Sequence, residues 1–378
     1  LSILFFGISN VFSGILQSLK KFTIFSLAPL MYNLGIIVGI VFLVDIFGPV
    51  GLAYGVVLGA FLHLLIQWPA AVRSGFHWRA ILALKNKAVR QIGRLMLPRT
   101  VGLAGNQLSQ VITTIIASGL ISGSLAIFNL AANLSSVPIS IFAISLAIAS
   151  FPVLSEKYIS QNKAGFIEQV SVNVRRILFL MIPISVFLIA FRAQIVRLVL
   201  GAGSFDWEDT ILTAEALGYF AISLFAQGLI PLLTRAFYAL QNTKTPVIIS
   251  LLAVVINISA AFALAPTMGV AGLALAFSLS SIVNLIFLVV ILKCRLGDLD
   301  EKKILFSTLK ISVASLGGLV CIQLAKYVLG SAVDMQTFVG VLIQFLGAGA
   351  VGVLVYLLVS LMLGSEEIND WKKRFANK

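Results

Sequence analysis

Charge is what this sequence has least of. Only 11% of its 378 residues are Asp, Glu, Lys or Arg, against about 25% in a soluble domain. So few charges cannot cover a water-facing surface, which excludes an ordinary soluble enzyme or binding module. Cysteine is almost absent as well. Cys294 and Cys321 lie about one apolar run apart, and neither fits a CxxC metal or redox pattern. The two histidines, His63 and His77, are too isolated to suggest a metal site, so neither metal nor cofactor is expected. No HExxH, Walker loop or GxSxG string occurs. No acidic residue lies in the middle of any long apolar run, which argues against a carboxylate-based proton or sodium relay. Enzymatic chemistry is not expected.

What the sequence does have is hydrocarbon: 60% of residues are hydrophobic, with a mean hydropathy of +1.06. A bilayer core needs about 20 apolar residues per helix. Windows of that kind lie near 1–19, 24–47, 49–71, 96–120, 125–151, 177–200, 211–234, 247–266, 269–293, 305–329 and 338–363. All eleven are expected to be helices, because a segment in lipid must satisfy its own backbone hydrogen bonds. The fold class is therefore an all-α polytopic membrane protein.

The net charge of +13 reads as a topology signal. Of 27 basic residues, all but Arg192, Arg197 and Lys326 fall in loops after odd-numbered windows or in the C-terminal tail. Lys and Arg stay on the cytoplasmic side during insertion. Those loops and the C-terminus are therefore expected in the cytoplasm of a bacterial inner membrane, and nucleic acid is not expected as a partner. The stretch "GFHWRAILALKNKAVRQIGRLML" (75–97) alternates apolar residues with five bases before Leu95. It suits a basic amphipathic segment on the cytoplasmic headgroups, in contact with membrane lipids.

Two parts of the chain resemble each other. "FGISNVFSGILQSLKK" (6–21) aligns with "FAISLFAQGLIPLLTR" (220–235), and "VGLAYG" (50–55) with "AGLALA" (271–276). Pro29 and Pro246 open the window that follows in each copy. A duplication of a six-helix unit is the expectation. Six is even, so both lobes would insert in the same direction, as in many secondary transporters. Leu1 already lies inside an apolar run and matches the fourth helix of the second copy. The chain is accordingly expected to be truncated at its N-terminus, with about three spans missing. The expected layout is 1–72, second half of a first lobe; 73–95, amphipathic linker; 96–295, a six-helix lobe; 296–364, two additional helices; and 365–378, a cytoplasmic tail.

Polar residues inside spans point to function. In the fourth window, Arg99, Asn106, Gln110 and Thr113 share a helical face. In the fifth, Asn129, Asn133, Ser136 and Ser140 do the same. Asn10, Ser13 and Gln17 mark the first window, Asn257 the eighth, and Ser281 and Asn284 the ninth. These stripes either line a cavity or hydrogen-bond between helices. The connection "RAFYALQNTKTP" (235–246) is a further candidate, a cytoplasmic joint carrying Arg235, Asn242, Thr243, Lys244 and Pro246.

That last string resembles a signature of the MurJ/MviN family of lipid II flippases, within the multidrug/oligosaccharidyl-lipid/polysaccharide exporter superfamily. "SGFHWRAILALKNKAVRQIGRLMLP" (74–98) is similar to the family's amphipathic link between lobes. "ASGLISGSLAIFNLAANLSSVP" (117–138) and "GAGSFDWEDT" (201–210) resemble further family segments. The resemblance implies fourteen helices, of which this chain carries the last eleven. It also implies alternating access, with a cationic cavity for the head of lipid II or a similar polyprenyl-pyrophosphate-linked precursor. Cell-wall synthesis proteins are implied partners. The two extra helices would form a groove for the polyprenyl tail, with Gly317, Gly318, Gly347, Gly349 and Gly352 on smooth faces. Two departures stand out. Many members carry an Asp-Arg pair where this chain reads Ala132-Asn133, and some carry a sodium-site aspartate near Thr113. Two alternative readings therefore stay open: an exporter of another polyprenyl-linked saccharide or a drug, and a non-transporting membrane scaffold.

Overall fold

The computed structural model describes residues 1–19, 21–76, 86–201 and 205–368. Every regular element among them is helical. Two compact units divide the chain, Leu1–Gln91 and Ile92–Lys378.

In the first unit, α1 (Ser2–Ser18), α2 (Phe22–Val38) and α4 (Val50–Arg73) pack together. A π-helical turn, Gly39–Leu43, and the short α3 (Val44–Phe47) continue α2. The α2–α4 contact is built on glycine. A Cβ at Gly35 or Gly39 would overlap the backbone of Gly59 or Gly55, so small residues let the two backbones meet. Gly48, at φ +60° and ψ −150°, turns the chain between α3 and α4. Only glycine adopts that conformation without strain. A buried polar cluster ties α1 to α4. Ser9 Oγ lies 2.7 Å from His63 Nδ1, and Gln67 Nε2 donates to Ser9 Oγ at 2.9 Å. Ser13 Oγ donates to Gln67 Oε1 at 2.7 Å. Each polar group excluded from water thus finds a partner inside its own unit.

In the second unit, the part of α5 (Lys87–Ser118) from Ile92 onward leads to α6 (Ser124–Pro138), a π-helical segment (Ile139–Ile144) and α7 (Ser145–Ile159). Pro138 closes α6 where the π turn begins, consistent with the missing N–H of proline disturbing the helical ladder. The 38-residue α8 (Lys163–Leu200) runs through the unit's main core. Phe191, Phe220 and Phe237 are wholly buried. An Asp206–Asp209 capping box starts α9 (Trp207–Ile222). A 46° bend separates α9 from α10 (Leu224–Ala239). At that bend the buried Ser223 hydroxyl lies 2.9 Å from Ser278 Oγ and receives Gln227 Nε2 at 2.9 Å.

The 53-residue α11 (Lys244–Leu296) is interrupted at Gly269, at φ +57° and ψ −134°. Its geometry matches that of Gly48. Three residues beyond each corner, Gly51 and Gly272 lie against the backbones of Leu43 and Leu264. One common offset relates all three pairs. Last come α12 (Glu301–Ala332) and α13 (Phe338–Met362), packed on each other and on α8. Tyr356 Oη donates to the Phe179 carbonyl at 2.7 Å. Gly318, Gly347 and Gly352 sit in the α12–α13 contact, whereas Gly349 has open space beside it.

By length and composition, seven of the described helices can cross a membrane, or eight if the bent α9–α10 pair is one span. Eleven were expected. Windows eight and nine join in α11 across Gly269, and the apolar part of α1, Ser2–Leu16, is shorter than a full span. The amphipathic stretch 75–97 is divided: residues 77–85 lie outside the described residues, and α5 begins at Lys87.

Candidate functional site

α6, the π-helical segment and α7 run on as one helix, Ser124–Ile159, which carries the polar stripe expected of the fifth window. Asn129, Asn133, Ser136 and Ser140 are all exposed, while Ile127, Ala131 and Ser135 on the opposite face are buried. The sequence explains the split. Residues spaced by four, three and four share one face, and the alternating apolar set supplies the other. Ser136 Oγ donates to the Asn133 carbonyl at 2.8 Å, and Ser140 Oγ to the Ser136 carbonyl at 2.9 Å. The hydroxyls thus bend back on their own helix. The two asparagine amides project from a helix of membrane-spanning length, uncovered within their unit.

The other candidates divide. Asn257 is buried and donates to Ser109 Oγ at 3.0 Å, joining α11 to α5. Gln110 is exposed and Thr113 half-buried on α5. The side chains of Arg99 and Asn106 lie outside the described residues, as does that of Gln17. The structure thus brings Asn257 onto α5 but leaves the α6 stripe uncovered.

The joint is a compact helix-to-helix turn. Gln241 takes a left-handed conformation, φ 59°. The Asn242 N–H donates to the Phe237 carbonyl at 2.9 Å, and the Gln241 N–H to the Tyr238 carbonyl at 3.0 Å. This is the paired bonding of a Schellman helix end. The Asn242 side chain accepts from the Thr245 N–H at 3.2 Å and donates to Thr245 Oγ1 at 2.7 Å. Arg235 donates to the Pro231 carbonyl at 3.1 Å. Thr243 and Lys244 are exposed, and Pro246 is buried in the first turn of α11. A second copy exists at "YISQNK" (158–163). There Gln161 has φ 56°, and Asn162 Oδ1 accepts from the Gly165 N–H at 2.8 Å. The shared Tyr-x-x-Gln-Asn spelling is a sequence signal for this turn.

A polar lock passed over by sequence reasoning joins α8, α12 and α13. Lys326 Nζ donates to the Ala190 carbonyl at 2.8 Å. Gln194 Nε2 donates to Gln344 Oε1 at 2.9 Å, and Gln344 Nε2 to the Lys326 carbonyl at 2.9 Å. Arg197 donates to the Gln336 carbonyl at 2.9 Å and lies 5.6 Å from the Trp207 ring centroid. These three-helix contacts satisfy polar groups that lipid would leave unpaired. Among the described residues no group of three or more His, Cys, Asp or Glu could hold a metal.

Amides and hydroxyls on the Ser124–Ile159 helix can donate and accept hydrogen bonds. Residues 1–343 match the family model described as lipid II flippase MurJ. A Thermotoga maritima protein named "Probable lipid II flippase MurJ" is 31% identical over 366 residues, 96% of this chain and 70% of that protein. A Borreliella burgdorferi protein of the same name is 29% identical over 310 residues, 82% of this chain and 61% of that protein. The solved structure "Lipid II flippase MurJ, inward closed conformation" shares the fold, with a TM-score of 0.78 at 24% identity, over 97% of this chain and 73% of that one. This multi-pass bacterial membrane protein belongs to the MurJ lipid II flippase family.

Proposed function

We propose that the full-length protein is a flippase that carries lipid II from the cytoplasmic to the outer leaflet by alternating access. In a chain of this family, the observation that carries the reading is the α6 stripe. Asn129, Asn133, Ser136 and Ser140 stand exposed on a helix long enough to cross a membrane. Lipid would leave the asparagine amides unsatisfied, whereas a hydrated path would satisfy them. Moving a bare pyrophosphate through hydrocarbon costs many kcal/mol. A polar, water-filled route removes most of that cost without a covalent step. The direction of transport would come from a shift between inward-open and outward-open populations.

The finer layout belongs to this reading: eleven spans, two parallel lobes, two additional helices, and a cytoplasmic C-terminus. The matched corners at Gly48 and Gly269, at the same offset as the match of "VGLAYG" to "AGLALA", support the two lobes. So does the use of Ser9 and Ser223, paired by the repeat, as buried hydrogen-bond centres. The bias of Lys and Arg toward alternate loops supports the sidedness.

Ala132-Asn133 removes a charge pair common in the family, which favours a second reading: export of a different polyprenyl-linked saccharide. Arg99 is the replacement cation we assign. Complementation tests both points. A bacterium depleted of its own flippase should regain growth when it expresses the full-length protein, and R99A should abolish that rescue. No rescue despite membrane expression would exclude lipid II as the cargo. Full rescue by R99A would reduce Arg99 to an interfacial anchor.

A further inference from the structure

The buried polar centre between α1 and α4 has a counterpart in the second unit. Ser9 receives Gln67 Nε2 at 2.9 Å and lies 2.7 Å from His63 Nδ1. Ser223, its match in the repeat, receives Gln227 Nε2 at 2.9 Å and lies 2.9 Å from Ser278 Oγ. Each centre is a serine hydroxyl held by a glutamine amide. They differ in one respect. Serine and glutamine do not titrate near neutral pH, whereas an imidazole does. The offset of "VGLAYG" to "AGLALA" sets an amide, Asn284, opposite His63.

The hydrogen bonds around His63, which is 9% exposed, fit both protonation states. Ser13 Oγ donates to Gln67 Oε1, which turns Gln67 Nε2 toward Ser9. With that amide donating to it, Ser9 keeps its own hydrogen for His63 Nδ1, and the neutral ring carries its proton on Nε2. When Nδ1 is protonated, the ring donates to Ser9 instead. The Ser9 hydroxyl then turns to the His63 carbonyl, 3.2 Å away. One hydroxyl rotation accommodates the proton.

The charge is not accommodated. α1 and α2 contain no Asp, Glu, Lys or Arg. Phe6 of α1 stands edge-on to the imidazole at 5.2 Å, and Tyr32 of α2 packs on Phe6. The other titratable groups of α4 are Tyr54 and Arg73, each about 15 Å from His63 along the helix. Lys21, before α2, and Asp45, on α3, are exposed. Among the described residues, no carboxylate meets the ring.

We propose that His63 is a proton switch within the first unit. Its protonation keeps the hydrogen bonds but places an uncompensated charge between α1 and α4, which loosens one helix from the other. Proton uptake then sets the population of conformations that part α1 from α4. The cargo plays no part in this inference.

Nuclear magnetic resonance of the full-length protein in detergent, with isotope-labelled histidine, tests it. The imidazole signal that H63N lacks should show a bare Nδ1 at about pH 8 and a protonated one at about pH 5. Over that interval the thermal midpoint of the wild type should fall about 3 °C further than that of H63N, whose amide keeps an acceptor for Ser9 but takes up no proton. H63Q supplies the same comparison should H63N fail to fold. S9A retains His63 without the turning hydroxyl, so its signal should titrate at least about half a pH unit away from that of the wild type. A His63 signal fixed in one protonation state overturns the proton site, as does identical titration in S9A. Equal midpoint losses in the wild type and the uncharged variants overturn the switch. None of these readouts involves transport, so their failure leaves the flippase reading standing.

Discussion

Asn257 and Asn133 look alike in the sequence: each is an amide inside a long apolar window. The fold separates them. Asn257 is buried against Ser109 Oγ, and Asn133 is exposed on α6. N257L should therefore lower thermal stability in detergent, by about 1 kcal/mol for one lost interhelical bond. N133L should leave stability unchanged and weaken complementation. Unfolding curves for both variants, with growth assays, check the division. An N133L protein that melts early but still supports growth would make Asn133 a packing residue. Polarity inside an apolar window made both amides visible as candidates. It could not say which one another helix covers, because coverage depends on α5 and α11 meeting far apart in the chain. His63 shows the same limit. Its bond to Ser9 came from the packing of α1 on α4.

At the scale of elements, the apolar windows correspond well to helices, because lipid leaves a spanning segment little alternative. Their joints were harder to read. The match between "VGLAYG" and "AGLALA" located two equivalent corners, but not that Gly48 and Gly269 hold the same left-handed backbone geometry. G269A should cost roughly 1–3 kcal/mol of stability through backbone strain, read as an earlier melting transition. The Gln161 and Gln241 helix ends behave oppositely. A left-handed non-glycine residue is itself strained, so Q161G and Q241G should be neutral or stabilising by up to about 1 kcal/mol. Loss of stability in Q241G would mean that the glutamine side chain makes a contact the joint depends on. The π-helical turn after Pro138 has that proline as its spelling, whereas the π turn after Val38 and the 46° bend before Leu224 have none as clear.

Across the whole molecule, the proposed sidedness rests on where the bases sit. Cys294 is exposed among the bases that close α11, and Cys321 lies in the middle of α12. A membrane-impermeant maleimide should label Cys294 in inverted vesicles and not in intact cells. Cys321 should stay unlabelled from either side. Labelling of Cys294 from outside would invert the topology and, with it, the direction assigned to transport.

The central claim is that lipid II crosses the membrane through this protein, and translocation itself is the direct measurement. In cells depleted of their own flippase, lipid II exposed on the outer leaflet can be counted by its susceptibility to an externally added lipid II-cleaving enzyme. Expression of the full-length protein should restore the cleaved fraction to the undepleted level, and combined N129L/N133L should lower it while the protein remains folded in the membrane. An unchanged, protected lipid II pool in cells that insert the wild-type protein normally would contradict the account.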